Sequence, residues 1–526
     1  MDSIRAKYYF SAIIFGDVNL GYLMGIDAGT TSLKAVLFDE EGNMVAVGRS
    51  EYNIETPQPG MAELNAEDYW NACREAILKV MRTSNVNPAE VEALAISSQG
   101  ETFIPVDRNG NPLRRAIVWL DNRSGDESRI IEEHFGVDKI FKVTGQPQVV
   151  PTWPATKILW LKRNEPRIFA ETYKYLLVED FLIYKLTGIF STEYSVVSST
   201  LIFDICREDW WDEMLEVIGI SRDHLPELNP SGKPVGNISD SASKATGLST
   251  KTIVSTGAFD QAAGAVGSAN VKPGIITETT GAALALLATL NEPIYDPKHR
   301  VPCHHHAVPG KFFLLPWCQT AGIVLRWFRD EFGKYEAEVA DKMGVDAYDL
   351  LTLQASRVNA GSNGLIILPH FAGAGPPEFD PHARGVIFGL TLSHGRAHVI
   401  RAIMESIAYM LRRNVELIEE FGVRVREIRS LGGASKSPLW NQIKADVTSK
   451  VILTLQTSEA ASLGAAILAG VAYGRFKRVE DGCDVMVRLK ERYEPNPKNR
   501  KIYDKYYKVY SSLYEKLRDL FPAVSQ

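Results

Sequence analysis

Three short apolar runs, Tyr22–Ile26, Leu33–Phe38 and Met44–Val47, are separated by only two polar turns. Runs this short, closed by turn residues, fold as a strand meander and leave no room for a helix. The second turn, Asp39-Glu40-Glu41-Gly42-Asn43, is an ordinary hairpin closure. The first, Asp27-Ala28-Gly29-Thr30-Thr31-Ser32, gathers one acid, one glycine and three hydroxyls. Backbone N–H groups and hydroxyls in such a turn can hold a phosphate, and the acid can hold its magnesium. A plain polar hairpin is the other reading that the turn alone leaves open.

At 526 residues, 45% hydrophobic and 23% charged, the chain is long enough for at least two domains with separate cores. Net charge is −6 and no Lys/Arg run is present, which gives no footprint for nucleic acid. The cysteines are few, odd in number and far apart (Cys73, Cys206, Cys303, Cys318, Cys483), a pattern of reduced thiols in a cytoplasmic protein. No apolar run approaches the roughly 20 residues that span a bilayer. Residues 1–21 read as a non-essential extension ahead of the first strand. A signal peptide is the alternative, since Arg5 and Lys7 precede the apolar Tyr8–Phe15, but no small-residue cleavage site follows.

Further along, strands repeatedly end in polar clusters. Glu67 to Met81 has helical spacing. The strand Val91–Ile96 runs into Ser97-Ser98-Gln99-Gly100-Glu101-Thr102, and the strand Phe103–Val106 follows. Ala116–Trp119 delivers Leu120-Asp121-Asn122-Arg123. Lys251–Gly257 feeds Phe259-Asp260-Gln261 and a small-residue helix through Gly267. In open α/β sheets such strand ends collect ligands. Val271-Lys272-Pro273-Gly274 is a turn-rich break, read as the boundary and hinge between residues 22–270 and 271–526. Just past it, Ile275–Leu287 repeats the opening in outline: strand, Thr279-Thr280-Gly281, strand. The repeat suggests a duplicated fold. Later elements are a helix over His398–Phe421, a strand over Val425–Leu431, a Gly432-Gly433 turn into a helix marked by Leu439, Ile443 and Val447, a strand over Val451–Leu455, and a small-residue helix over Ala460–Gly470. The paired glycines let a ligand approach the backbone closely.

In order and spacing these segments resemble the FGGY carbohydrate kinases, a family on the two-lobed actin/ribonuclease-H-like ATPase fold, an α/β architecture of duplicated domains around a cleft. Six stretches carry the resemblance: Gly25–Lys34, Pro154–Leu161, Gly257–Gly264, Thr279–Gly281, Gly385–Leu390 with His398–Glu405, and Gly432–Lys436. The resemblance implies ATP and Mg²⁺. It places Asp27 at the metal, and Thr30, Thr31, Ser32 and Lys34 at the phosphates. Thr279, Thr280 and Gly281 would clamp from the other lobe, and Gly432, Gly433, Ala434, Lys436 and Asn441 would take the nucleoside. Asp260 would be the general base; from the residues alone the helix cap is the favoured reading. Candidates for holding the acceptor are Gln99, Glu101, Trp119, Asp121 and Gln261, where amides and carboxylates can bind vicinal hydroxyls and an aromatic ring can cover an apolar face. Plain core remains open for Trp119, and a surface pair with Arg123 for Asp121.

Ser98-Gln99-Gly100-Glu101-Thr102 matches neither the Gln-Met-His-Gly of xylulokinases nor the Asn-Gln-Arg-Glu-Thr of glycerol kinases. Gly100 in place of arginine removes a bidentate donor and is expected to open space for a larger acceptor. Gly432–Trp440 and Ala460–Gly470 resemble the xylulokinase branch, so the expected acceptor is a D-xylulose-like ketose, with glycerol, another polyol or an aldonate as the alternative. An actin-like ATPase without sugar transfer and a silent sugar sensor are the readings from other classes. The expected partner is a small sugar or polyol, with neither nucleic acid nor membrane, and homodimers are frequent in the family. Cys303-His304-His305-His306 is a poor metal site, because a strand splays adjacent side chains to opposite faces. Gly373–Pro377 reads as a mobile rim over the cleft.

Overall fold

The computed structural model describes residues 21–376 and 378–525. The expectation for residues 1–21 therefore falls almost wholly outside the described residues.

Two sheets built on one plan organise the chain. The first runs in the order Pro234–Asn237, Ile253–Phe259, Val91–Ser98, Tyr22–Ala28, Ser32–Phe38, Met44–Glu51. Its last three strands form the antiparallel meander, and Val91–Ser98 and Ile253–Phe259 add in parallel on the other side of Tyr22–Ala28. The second sheet repeats this. Ile275–Thr280 pairs antiparallel with Leu284–Leu290 on one side and parallel with Glu427–Leu431 on the other, and Val451–Leu455 follows in parallel. Two-residue periodicity then sorts the side chains. In Tyr22–Ala28, Met24, Ile26 and Ala28 enter a core shared with the helix Ala66–Ser84. Gly25 and Asp27 therefore share the opposite face, which looks toward the second half of the chain.

That face is covered by the helix Ala460–Tyr473, which lies late in the sequence. Its approach is close because the meeting residues are small. A Cβ on Gly25 would stand 1.7 Å from the Ser462 carbonyl oxygen. The same helix crosses Asp260–Gly267, where Cβ atoms on Gly267 and Gly464 would stand 1.8 Å and 1.9 Å from the carbonyl oxygens of Ala460 and Ala263. In turn, Arg429 donates to the Ser268 carbonyl at 2.9 Å and Asn270 to the Leu287 carbonyl at 3.0 Å, tying the end of Asp260–Gly267 to the second sheet. Sequence boundaries and spatial lobes thus differ: 271–526 includes a helix seated on the first lobe's sheet.

Predicted elements are found with small shifts. The first helix spans Ala66–Ser84, the long helix Arg396–Glu420, and Val451–Leu455 has the predicted bounds. Ala116–Trp119 shortens to the two-residue strand Ala116–Ile117, because the chain turns at Val118, whose carbonyl accepts from the Asp121 N–H. Among the described residues no helix is long and apolar enough to cross a membrane.

Candidate active site

The first turn folds on itself: Gly29 N–H donates to the Ser32 carbonyl at 3.0 Å, and the Tyr52 hydroxyl donates to the Gly29 carbonyl. Trp119 Nε1 donates to Thr30 Oγ1 at 3.1 Å. A hydroxyl that accepts from an indole keeps its own proton free to donate. Thr31 is exposed, and Thr30 and Ser32 are half-buried. Lys34, one strand turn on, pairs with Glu459 at 2.7 Å, an ion pair from the first sheet to the N-terminus of the covering helix.

Three carboxylates converge beside this turn. Asp27 accepts from the Ser97 hydroxyl at 3.2 Å, and burial raises its pKa to about 6. Asp260 opens its helix directly after the strand, and the helix has no side-chain cap hydrogen bond. Its Oδ1 is buried without a partner. Burial first, and then the charges of Asp27 and Glu101, push its pKa up to about 7. Glu101 is raised to about 7 by burial, against the lowering effects of Ser199 and Lys157. Glu101 also has φ = 60°, a left-handed backbone rarely adopted outside glycine. Lys157 braces it from the helix Pro154–Asn164, donating to the carbonyls of Val118 at 2.9 Å and Glu101 at 3.4 Å. Like charges held together in a desolvated place keep at least one acid near neutrality, as proton transfer at pH 7 requires.

Between the lobes lies a cavity of about 580 Å³ whose wall includes Phe259, the residue before Asp260, but not Asp260 itself. Glu101, Trp119 and Phe259 line it from the first lobe, and Trp317, Gln319 and Phe379 from the second. Asn122, Gln146, Gln148 and His304 supply further polar atoms. His304 is sandwiched between the rings of Phe259 and Phe313, at centroid distances of 5.9 Å and 5.0 Å and within 4° of parallel. Burial lowers its pKa to about 3, so the ring is neutral. Among the described residues that line this cavity, none carries a positive charge.

A second cavity of about 600 Å³ sits on the other lobe, lined by Gly281, Gly322, Gly433, Ala434 and Lys436, with Arg326 and Tyr348. Gly432 has φ = 76°, and a Cβ there would stand 2.9 Å from the Thr280 carbonyl oxygen, so the turn accepts glycine alone. Beneath it Lys444 and Glu278 form a fully buried ion pair at 2.5 Å.

Several expected site residues have other work in this geometry. Asp121 is 0% exposed and does not line the cavity; its oxygens accept from the Ala62 N–H at 2.6 Å and from Arg123 three times. Thr280 turns its hydroxyl inward to Glu278 at 2.6 Å, leaving Thr279, on the alternate face, partly accessible. Asn441 is buried under the glycine turn and donates to the Ser435 carbonyl at 2.7 Å. Gln99 is also buried: its Nε2 donates to the Tyr69 hydroxyl at 3.0 Å, and its Oε1 has no partner. Gln261 is half-buried beside Asp260. At Gly100 no space opens, because a Cβ would stand 2.6 Å from Ser199 Oγ and 3.1 Å from the Phe259 ring. The Cys303–His306 run gives no metal group among the described residues, but His304 lies in the cavity wall. Strand alternation shows which histidines share a face but not what that face meets, so the sequence did not reveal this role.

The chain matches the models of the FGGY family of carbohydrate kinases, the N-terminal domain over residues 22–267 and the C-terminal domain over 279–473. It is 30% identical over 503 residues to a xylulose kinase of Bacillus subtilis, covering 96% of this chain and 98% of that one. It is 33% identical over 468 residues to a gluconokinase of the same organism, covering 88% and 90%. Among solved structures, a gluconate kinase from Lactobacillus acidophilus superposes with a TM-score of 0.86 at 26% identity, over 96% of this chain and 100% of that one. With both halves matched and a fold duplicated around a carboxylate-lined cleft, the chain belongs to the FGGY family of carbohydrate kinases, phosphotransferases that act on an alcohol group of a small sugar or polyol.

Proposed function

We propose that the acceptor is a neutral ketose of the D-xylulose kind and that Asp260 is the general base. The observation that carries the acceptor assignment is the cavity between the lobes. It is walled by Trp119, Trp317 and Phe379 and edged by amides and Glu101, with no cationic side chain among its described residues to meet an aldonate carboxylate. Glycerol is small for a space of about 580 Å³. Gln99, Gln261 and Asp121 do not line this cavity, so the acceptor is held by Glu101, Trp119 and the amides of its wall.

The transfer needs alignment, charge neutralisation and a proton acceptor. The unpaired Oδ1 of Asp260 is suited to take the acceptor hydroxyl's proton. Thr30, Thr31 and Ser32 donate to the phosphates from one side, and Thr279 with the Gly281 backbone from the other. Gly432, Gly433, Ala434 and Lys436 bound the nucleoside. A cation fits Asp27, whose carboxylate takes only one side-chain hydrogen bond, and no cage of three or more ligands exists among the described residues. That donor set suits Mg²⁺ held mainly by nucleotide phosphates and water. Such an ion would neutralise charge on the transferring group. The five free thiols fit a cytoplasmic setting.

Coupled ADP-release assays across ketoses, polyols, glycerol and gluconate test the reading. The expected result is the highest kcat/KM on a neutral ketose and loss of turnover by about 10²-fold or more in Asp260→Asn. Gluconate as the best acceptor would overturn the substrate class, and full turnover by Asp260→Asn would overturn the base.

A further inference from the structure

The strand that ends at Asp260 is not straight. Ser255 pairs with Ala95 and Ala258 with Ser97, so Thr256 and Gly257 together oppose Ile96: a bulge three residues before the acid. Gly257 is forced there, since a Cβ would stand 1.8 Å from the Ile96 carbonyl oxygen. A bulge takes N–H groups out of the ladder, and buried N–H groups need acceptors. Thr256 N–H donates to the Lys233 carbonyl at 2.9 Å, and two buried glutamates serve the Gly257 N–H and, just past the bulge, the Phe259 N–H. Glu179 Oε1 accepts from the Gly257 N–H at 2.7 Å. Phe259 N–H donates to Ser195 Oγ at 3.0 Å, and Ser195 Oγ donates to Glu193 Oε1 at 2.8 Å. Glu193 also accepts from the N–H groups of Ser195 at 2.7 Å and Val196 at 2.5 Å, and from the Ser231 hydroxyl at 2.6 Å.

Both carboxylates are 0% exposed, and among the described residues neither pairs with a lysine, arginine or histidine. Burying two neighbouring acids without a cation is costly, and each raises the energy of the other. Packing does not require them; apolar residues would fill the same volume. Their oxygens give the Gly257 N–H and, through Ser195, the Phe259 N–H one acceptor each in one place.

We propose that Glu179 and Glu193, the latter through Ser195, are positioning residues for phosphoryl transfer: they fix the Gly257–Phe259 backbone and thereby the direction of the Asp260 carboxylate. The proposal rests on Asp260 as base. Displacement of a reacting group by about 1 Å can cost 10²-fold in rate while leaving binding intact.

Steady-state kinetics on the full chain, with melting temperature measured alongside, test it. Ser195→Ala and Glu193→Gln are each expected to lower kcat by about 10-fold or more with KM for ATP and for the best acceptor within about 2-fold. Ser195→Thr, which returns the hydroxyl, is expected to recover most of the loss. Wild-type kcat in both variants overturns the proposal, as does a fall that merely tracks loss of folded protein. Should either variant fail to fold, Ser231→Ala removes one donor to Glu193 from the rim, and a kcat lowered about 3-fold at unchanged KM is expected; unchanged kcat would count against the proposal. Asp260→Asn separates the two readings. If it keeps turnover, the base assignment fails; if it is inactive while Ser195→Ala and Glu193→Gln are fully active, only the positioning role fails.

Discussion

Asp260 is pushed toward neutral pH first by burial and then by two neighbouring acids. Burial, Asp27 and Glu101 all favour its protonated form, giving a value of about 7. With Asp260 as the proposed base, which must be ionised to act, kcat/KM is expected to rise with pH through an acid limb centred near 7. Asp27→Asn removes a like charge and should move that limb to lower pH even as the maximal rate falls. A pH–rate profile of the variant checks this, and a limb left in place would show that Asp27 does not face Asp260 electrostatically. At this scale the sequence was legible for position: Asp27 sits at the end of its strand before the hydroxyl-rich turn, and Asp260 opens its helix directly after a strand, as read. It was not legible for Asp121, whose role is decided by Arg123 and the distant Ala62 N–H. Lys157 also escaped, because its partners are the carbonyls of two loops and carbonyls leave no mark on side-chain pattern.

Between helices, Asp260–Gly267 and Ala460–Tyr473 cross in close contact. A side chain at Gly464 must displace the backbone of Ala263, since even a Cβ would come within 1.9 Å of its carbonyl oxygen. Gly464→Val is therefore expected to cost about 3 kcal/mol or more, read as a fall in melting temperature, and to lower activity by shifting the helix that begins at Asp260. A stable and active variant would show that the crossing is looser than described. Both helices were visible in the sequence as small-residue runs with turns at their ends. Which sheet the second one covers was not, because a run of Gly and Ala permits close approach without naming the partner. The two meanders were readable for a related reason: their turns are short, so each hairpin is specified locally.

The whole molecule is two copies of one sheet plan with a crossed helix pair between them; the cavity of about 580 Å³ is walled by both lobes and that of about 600 Å³ by the second. On the proposed mechanism the contents of both must meet at Asp260, and excluding water as they do so limits wasteful hydrolysis. Small-angle scattering is expected to show a smaller radius of gyration with a non-hydrolysable ATP analogue and ketose together than with neither. An unchanged radius would mean the cleft is already closed. Duplication was legible from the repeated strand–Thr-Thr–strand pattern, and the structure extends it to strand order and direction. The acceptor cavity could not be read ahead, since its wall joins residues as far apart as Glu101 and Phe379.

The helix Ala460–Tyr473 also sets a schedule for synthesis. All six strands of the first sheet have been synthesised once residue 259 is made, yet the face bearing Gly25 has no cover until the helix ending at Tyr473 follows. For that interval the nascent chain carries a finished sheet with one bare apolar side, an invitation to chaperones and to other unfinished chains. A fragment ending at residue 270 is accordingly expected to aggregate when expressed alone and to be rescued by co-expression of 271–526, measured as protein recovered in the supernatant. The two halves of the duplication are thus unequal in time: the half written first is the half completed last.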